Sequence, residues 1–408
     1  MRISYVHALF WIVWLFLLIF SYFNSYDDPS SIFYDTRRAY EQRFSLVRSA
    51  EADQFLKQPS GVKSSASQKD KLLCIGIPSV NRTSESFLSH TVATLTDTLT
   101  PDERKSVHIV VLLADKSPQA HFAYGQKWLD QIVDEVLVYD TESTPSNISD
   151  VYRTIPFNVY KDPRGDGRVE NMRLDHSVLV ETCRNYGSPY FALVEDDIVA
   201  SRDWFRRFKK GLAYTESQSE KTQTDWMYLR LFYSEIFMGW NSEEWLTYSE
   251  TIFLVYVVIL ALFLEARRRW KFGARPGASA AESNILAAAV FGLWIPAMIV
   301  LYFMAGRVSV NRLIPWPNPG AREMERYGCC AQGLVIPERH LEGFQNLLRN
   351  PPYDFAGDQK LEGYAESRGL KKWALEPSVF QHVGLKQSSA GDVRAEVWNF
   401  SFERQHKR

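Results

Sequence analysis

Polar and apolar residues segregate on two length scales along the chain. The longer scale is set by three apolar runs. The first, ALFWIVWLFLLIF at 8–20, is edged by Tyr5, Tyr22 and Phe23. With these flanks it approaches the roughly 20 residues that cross a bilayer. A cleaved signal peptide is the rival reading, but the bulky residues of SYFNS (21–25) spoil a small-x-small cleavage pattern, which favours an uncleaved anchor over 8–23. The second run spans 247–264, with Glu250 near its start and no Asp, Glu, Lys or Arg over 251–264, and the third, 285–305, contains no charged residue. Two buried core helices are the alternative. Their length and the lack of a polar face argue for membrane spans.

Between the second and third runs lies EARRRWKFGARPGASAAESN, with Arg267, Arg268, Arg269, Lys271 and Arg275. The positive-inside rule puts this loop, 265–284, in the cytosol. The same rule gives a cytosolic tail at 1–7 and delivers the chain after the first anchor to the lumen. The hairpin dips and returns, so the soluble stretches on either side of it share one compartment and are able to form one domain.

The shorter scale is that of buried strands. Apolar runs at 72–79 (LLCIGIPS), 107–113 (VHIVVLL), 135–139 (EVLVY) and 190–194 (YFALV) alternate with helical patterns at 86–99, 121–132 and 168–186. A further helix is expected at 358–367. Strands alternating with helices predict an α/β domain with a mostly parallel sheet. This domain falls in two parts, 72–246 and 306–408, split by the hairpin. Residues 24–71 read as a stalk: an amphipathic helix over 30–57, then the Ser-rich linker QPSGVKSSASQKD.

Composition narrows the function. The 408 residues carry a formal net charge of -1 and no long basic stripe, which gives nucleic-acid binding no electrostatic support. A channel or transporter should show polar or broken midplane segments, and the last two spans are apolar. The 12 Trp, 20 Tyr and 25 Phe suit sugar faces and membrane interfaces as well as an ordinary core. Four cysteines, Cys74, Cys183, Cys329 and Cys330, form no CxxC pair. In an oxidising lumen Cys74 is expected to pair with Cys183, and Cys329 or Cys330 to bridge locally. Buried free thiols are the alternative. Asn81, Asn147 and Asn399 head potential glycosylation sequons.

The sharpest chemical signal is Glu195-Asp196-Asp197, directly after the fourth apolar strand. Ligand-binding groups of parallel sheets gather at such carboxyl ends. Three adjacent carboxylates repel one another. A divalent cation between Asp197 and a diphosphate relieves that repulsion, and Mn²⁺ or Mg²⁺ suits carboxylate and phosphate oxygens. A solvated acidic turn is the competing reading. The first strand closes on IPSVNR, placing Pro78, Val80 and Arg82 in a loop suited to a nucleotide, with Arg82 a diphosphate partner. Arg173 and Asp175 lie early in the helix before the fourth strand. Asp175 is suited to accept hydrogen bonds from a ribose or base, or else is a helix-end charge.

The set IPSVNR, the helix carrying Asp175, YFALVEDD, DWMYLRLFYSEIFMGWNSEEW, a membrane hairpin, CCAQGLVIP and EPSVFQHVGLKQSS resembles the post-GPI-attachment N-acetylgalactosaminyltransferases. More distantly it is similar to the N-glycan-branching N-acetylglucosaminyltransferases of the fourth type, which lack the hairpin. The resemblance covers about 72–390 and implies a GT-A fold, a UDP-sugar donor, Mn²⁺ and residence in the Golgi membrane. It implies transfer of N-acetylgalactosamine from UDP-GalNAc to the first mannose of a GPI glycan on GPI-anchored proteins, with inversion.

Inversion needs one carboxylate base for the acceptor hydroxyl. Asp358, at the family's acidic position, is the expected base, with Glu362 and Glu235 as rivals and a helix N-cap as its structural alternative. His382 matches a family histidine and joins Asp197 as an expected metal or phosphate ligand. Lys386, Ser388 and Ser389 are expected to hold phosphate oxygens. Tyr233, Glu235, Trp240 and Asn241 are expected on the acceptor side. Another UDP-sugar, an N-glycan acceptor, or a catalytically inactive membrane lectin or trafficking receptor are the competing readings.

Overall fold

A computed structural model describes residues 2–58, 71–81, 87–141, 149–157, 167–271, 278–313, 319–324, 328, 331–384 and 395–407. The chain divides into two compact units. One comprises residues 1–41 and 235–316, the other 42–234 and 317–408. The division falls ahead of the hairpin, at 234/235. Residues 44–57, expected in the stalk, belong to the second unit.

Among the described residues, three helices are long and apolar enough to cross a membrane: Ser4–Asn24, a stretch within Glu235–Arg269, and Glu282–Ala305. The second is continuous over Trp245–Lys271. The third carries a π turn at Val290–Trp294. Pro296 explains it, because proline lacks an N–H and its ring crowds the carbonyl four residues back, at Gly292. Within this unit the first and third helices pack together. Trp14 Nε1 donates to the Ala297 carbonyl (2.9 Å), and the Phe10 and Trp294 rings stack at 4.9 Å. Where both chains leave the helices, the buried Asp28 carboxylate accepts from Ser309 N–H at 2.6 Å. Gly306 there has φ 90°, and a Cβ on it would collide with Asp28.

The second unit is built on nine strands in the order β4-β3-β2-β1-β5-β9-β7-β10-β8. They are β1 (Leu73–Ser79), β2 (Val107–Leu113), β3 (Glu135–Asp140), β4 (Tyr152–Pro156), β5 (Tyr190–Leu193), β7 (Trp226–Arg230), β8 (Ala321–Glu323), β9 (Leu334–Pro337) and β10 (Lys371–Leu375). Strands β4, β3, β2, β1 and β5 run parallel. β9 is antiparallel to β5 and β7, β10 is parallel to β7, and β8 is an antiparallel edge. The result is a large, mostly parallel mixed sheet. Every residue of β2 is buried, as expected for a strand covered on both faces.

From β1 the chain builds outward through β2, β3 and β4, then returns to lay β5 on the other side of β1. Strand order reverses between β1 and β5, and the crevice outside their carboxyl ends is where open α/β sheets bind ligands. A two-stranded sheet closes this edge, pairing β6 (Ile198–Ala200) antiparallel with β11 (Phe380–His382). A disulfide joins Cys74 of β1 to Cys183 of the helix Gly167–Tyr186, as expected. Cys329 and Cys330 lie outside the described residues.

Two local expectations are corrected. Residues 121–132 are helical only over Lys127–Ile132, because Gly125 at φ 68° turns the chain ahead of it. The amphipathic stretch 30–57 breaks into Thr36–Ala39 and Phe44–Lys57. The longer helix is anchored by Arg48, which is fully buried and donates to the Ala200 carbonyl (2.7 Å) and Asp97 Oδ1 (2.8 Å). The sequon asparagine Asn399 is buried as well. Its amide donates to the Tyr233 carbonyl and accepts from Phe402 N–H, both at 2.8 Å.

Candidate active site

The acidic triplet follows β5 and fills the turn into β6. Three neighbours hold this turn. Val194 N–H donates to the Gly76 carbonyl of β1 (3.0 Å). Thr91, buried in the helix Leu88–Thr96, donates through Oγ1 to the carbonyls of Asp196 (2.9 Å) and Ile198 (2.8 Å). Ser79, the last residue of β1, donates to Asp196 Oδ2 at 2.7 Å. Asp196 is thereby tied to the sheet, and its neighbours point away to the crevice.

β11 brings in the histidine. Its pairing with β6 sets His382 opposite Ile198, one residue past Asp197. His382 Nε2 stands 3.2 Å from Asp197 Oδ2, and both are buried. Val383 N–H then donates to the Asp197 carbonyl (2.8 Å), and Gly384 lies flat against the Asp197 side chain. Ligand atoms of Glu195, Asp197 and His382 all lie within 4.8 Å of one another, close enough to share a metal ion. Burial, then the Asp197 charge, pushes the Glu195 carboxyl up to about 8. His382 opposes this, while Asp358 and Asp196 add to it. Such crowding of like charges in a desolvated site is relieved by a bound cation.

A cavity of about 790 Å³ opens over this edge. Pro78, Val80, Asp175, Glu195, Asp196, Asp197, Asp358 and His382, each singled out from the sequence, all line it. Asp358 is the second residue of the helix Gly357–Ser367, whose N-cap is Ala356, so it does not serve as the cap. Its rival Glu362 is committed elsewhere. It accepts from the Tyr228 hydroxyl, from Arg230 (2.8 Å) and from Lys372 Nζ (2.8 Å).

Arg173 is not in the cavity. Helical geometry turns it to the opposite face, where it is fully buried, donates to the carbonyls of Pro352, Leu347 and Asn350, and lies over the Tyr353 ring. It braces the loop ahead of Asp358 instead of meeting a donor. Tyr233 is likewise absent from the cavity lining. It is buried, and its main chain is held by Ser378 and Asn399. Glu235, Trp240 and Asn241 belong to the membrane-helix unit, where Trp240 Nε1 donates to the Phe303 carbonyl and Asn241 N–H to the Tyr248 hydroxyl. Arg82, Lys386, Ser388 and Ser389 lie outside the described residues.

The cavity also contains residues that sequence reasoning passed over. Asp115 and Lys116 follow β2 after Ala114, and the carboxyl-end rule that singled out the loop after β1 applies to them equally. Arg168, Asn171, Met172 and Asp175 recur at helical spacing and form one face of Gly167–Tyr186. Tyr139, the penultimate residue of β3, donates its hydroxyl to Asp175 Oδ1. Burial raises the Asp175 carboxyl to about 6, against the lowering effect of that hydrogen bond. Gln332 had no signal of its own, since it enters by the antiparallel return of β9.

The carboxylate cluster at the β1/β5 reversal and Asp358 line one cavity, and the comparisons with known proteins give the class of protein as a glycosyltransferase. The model of the family described as GPI-N-acetylgalactosamine transferase PGAP4 matches residues 73–381, and the chain belongs to that family. It is also similar to curated N-acetylglucosaminyltransferases. Alpha-1,3-mannosyl-glycoprotein 4-beta-N-acetylglucosaminyltransferase C of Mus musculus is 26% identical over 160 residues, 36% of this chain and 31% of that protein. Form B of Mus musculus is 27% identical over 166 residues, 38% of this chain and 27% of that protein. The match therefore spans less than a third of either relative.

Proposed function

We propose that this chain transfers N-acetylgalactosamine from UDP-GalNAc to the first mannose of the GPI glycan on GPI-anchored proteins, with a GT-A-type domain and Mn²⁺ or Mg²⁺. Its family membership supports the donor and acceptor classes. The observation that carries the chemistry is that Asp197, His382 and Asp358 line one cavity at the β1/β5 reversal. Glu195, Asp197 and His382 would hold the cation: the two carboxylates suit either metal, and the imidazole is better suited to Mn²⁺ than to Mg²⁺. When bound, the cation neutralises charge on the departing diphosphate.

The remaining roles fall to the chain's own groups. Pro78, Val80, Asp115 and the Tyr139–Asp175 pair would seat the nucleoside. Lys116 and Arg168 add positive charge for the phosphates. Asp358 takes the proton from the acceptor hydroxyl as its oxygen bonds to C1 of the sugar, while the bond from C1 to the UDP oxygen breaks on the opposite face. The three apolar helices and the basic run Arg267, Arg268 and Arg269 support a three-span Golgi protein with a cytosolic N-terminus and a lumenal catalytic domain.

The test is mass analysis of GPI glycans released from cells with and without this chain. A difference of one N-acetylhexosamine is expected. A hexose difference would change the donor, and no difference would favour a lectin or receptor. The named activity of the relatives favours one second reading, transfer of N-acetylglucosamine to an N-glycan. Released N-glycans from the same cells decide it.

A further inference from the structure

The helix Gly167–Tyr186 turns one more residue toward the cavity, His176, which none of the roles above uses. It is only 6% exposed. Among the described residues its Nδ1 is buried with no hydrogen-bond partner. A buried polar atom without a partner costs free energy, and in functional sites it marks a group awaiting a ligand or held in one state for use.

The surroundings of the ring fix that state. Nδ1 lies 3.7 Å from where a Cβ on Gly357 would stand, and Gly357 begins the 11-residue helix that carries Asp358. The positive end of a helix favours a lone pair and disfavours an added proton. Burial acts in the same direction and lowers the imidazole pKa to about 4. The ring is therefore neutral at any physiological pH. With its lone pair at Nδ1 against the helix start, its proton sits on Nε2, the nitrogen left to the cavity. His176 also follows Asp175, on the proposed nucleoside side, and abuts the helix start that holds Asp358. Between a nucleoside and the base lies the sugar being transferred.

We propose that His176 is a sugar-recognition residue, donating Nε2–H from a neutral imidazole to an oxygen of the sugar moiety of the nucleotide donor. This rests on the reading of the cavity as a UDP-sugar site. A neutral N–H donor suits a sugar hydroxyl or an acetamido carbonyl, and its place against the helix start that carries Asp358 sets it toward the sugar and away from the UDP leaving group. It therefore separates affinity for UDP-sugar from affinity for UDP alone.

Calorimetry on the detergent-purified full chain with Mn²⁺, using UDP and UDP-N-acetylgalactosamine as probes, tests it. In His176→Phe the UDP-sugar should bind about tenfold more weakly, while UDP stays within about twofold of wild type. His176→Gln, which keeps an N–H donor, should recover part of the loss. If phenylalanine lowers the melting temperature, His176→Met removes the donor with a more adaptable side chain. Equal weakening of both probes, or no weakening of either, overturns the proposal. So does a change confined to the KM for the glycan acceptor. A wild-type protein that binds neither probe overturns the UDP-sugar reading itself, whereas wild-type binding with an indifferent His176→Phe overturns only the role of the histidine.

Discussion

His382 Nε2 lies 3.2 Å from Oδ2 of Asp197, although 185 positions separate them in the chain. The contact depends on β11 pairing with β6, so the geometry of this candidate cation site is set by the last of the described strands. Glu195 completes the group.

The first prediction follows from that pairing. Addition of UDP with Mn²⁺ should raise the melting temperature of the purified protein by a few degrees, roughly as for any saturating ligand selective for the native state. Asp197→Ala should abolish the shift and His382→Ala should weaken it. A full shift in Asp197→Ala would remove Asp197 from the metal site.

Gly384 should be intolerant of even one methyl group. A Cβ there would stand 2.3 Å from Asp197 Oδ2 and 2.9 Å from its Cβ. Gly384→Ala must displace the Asp197 carboxylate, so the Mn²⁺ concentration for half-maximal transfer should rise. Gly363→Ala is the control. It lies inside the helix Gly357–Ser367 with open space around it, and should add stability of about 0.5–1 kcal/mol without touching metal dependence. Equal metal dependence in both variants would mean that Gly384 does not constrain the site.

Asp358→Asn keeps the shape and removes the proton acceptor. Binding of UDP should be unchanged, and transfer should fall roughly 10²–10⁴-fold. Transfer near the wild-type rate would move the base elsewhere, and Glu362, bound by three donors, is an unsuitable substitute.

Asp175 gives a pH signature in stability. Burial raises its carboxyl to about 6, while an unfolded aspartate titrates near 4. Between these values the native state holds a proton that the unfolded chain has released. Stability contributed by this group is present below about pH 4, falls as pH rises toward 6, and is level above. Asp175→Asn still accepts from Tyr139 and lacks the titration. Its advantage over wild type should grow across that window to roughly 1–3 kcal/mol, read from denaturant midpoints at a series of pH values. Parallel curves for the two proteins would show that Asp175 is not buried as described.

The long apolar runs and four of the five parallel strands, β1, β2, β3 and β5, were legible because each carries its own signal: continuous burial reads as a continuous apolar string. The short strands were not. β6, β8, β9 and β11 have three or four residues each, and their pairing partners lie far away in the chain. The site shows the same contrast. Glu195, Asp196 and Asp197 were found from their neighbours in sequence and Asp358 through the family resemblance, whereas Asn171 and Gln332 enter the cavity only through sheet order and helix facing.

Sequence alone determined the three runs long and apolar enough to cross a membrane, the α/β class and the acidic triplet, because hydropathy and strand-end chemistry are local properties. The resemblance carried by its motifs supplied the family. Only the tertiary structure decided that Arg173 serves the loop before Asp358 while Asp175, two residues on, serves the cavity. It also decided that Asn399 is a buried cap and that His176 stands neutral against a helix start. Residues two apart on a helix face different sides, and which side meets the crevice depends on how the helix docks on the sheet.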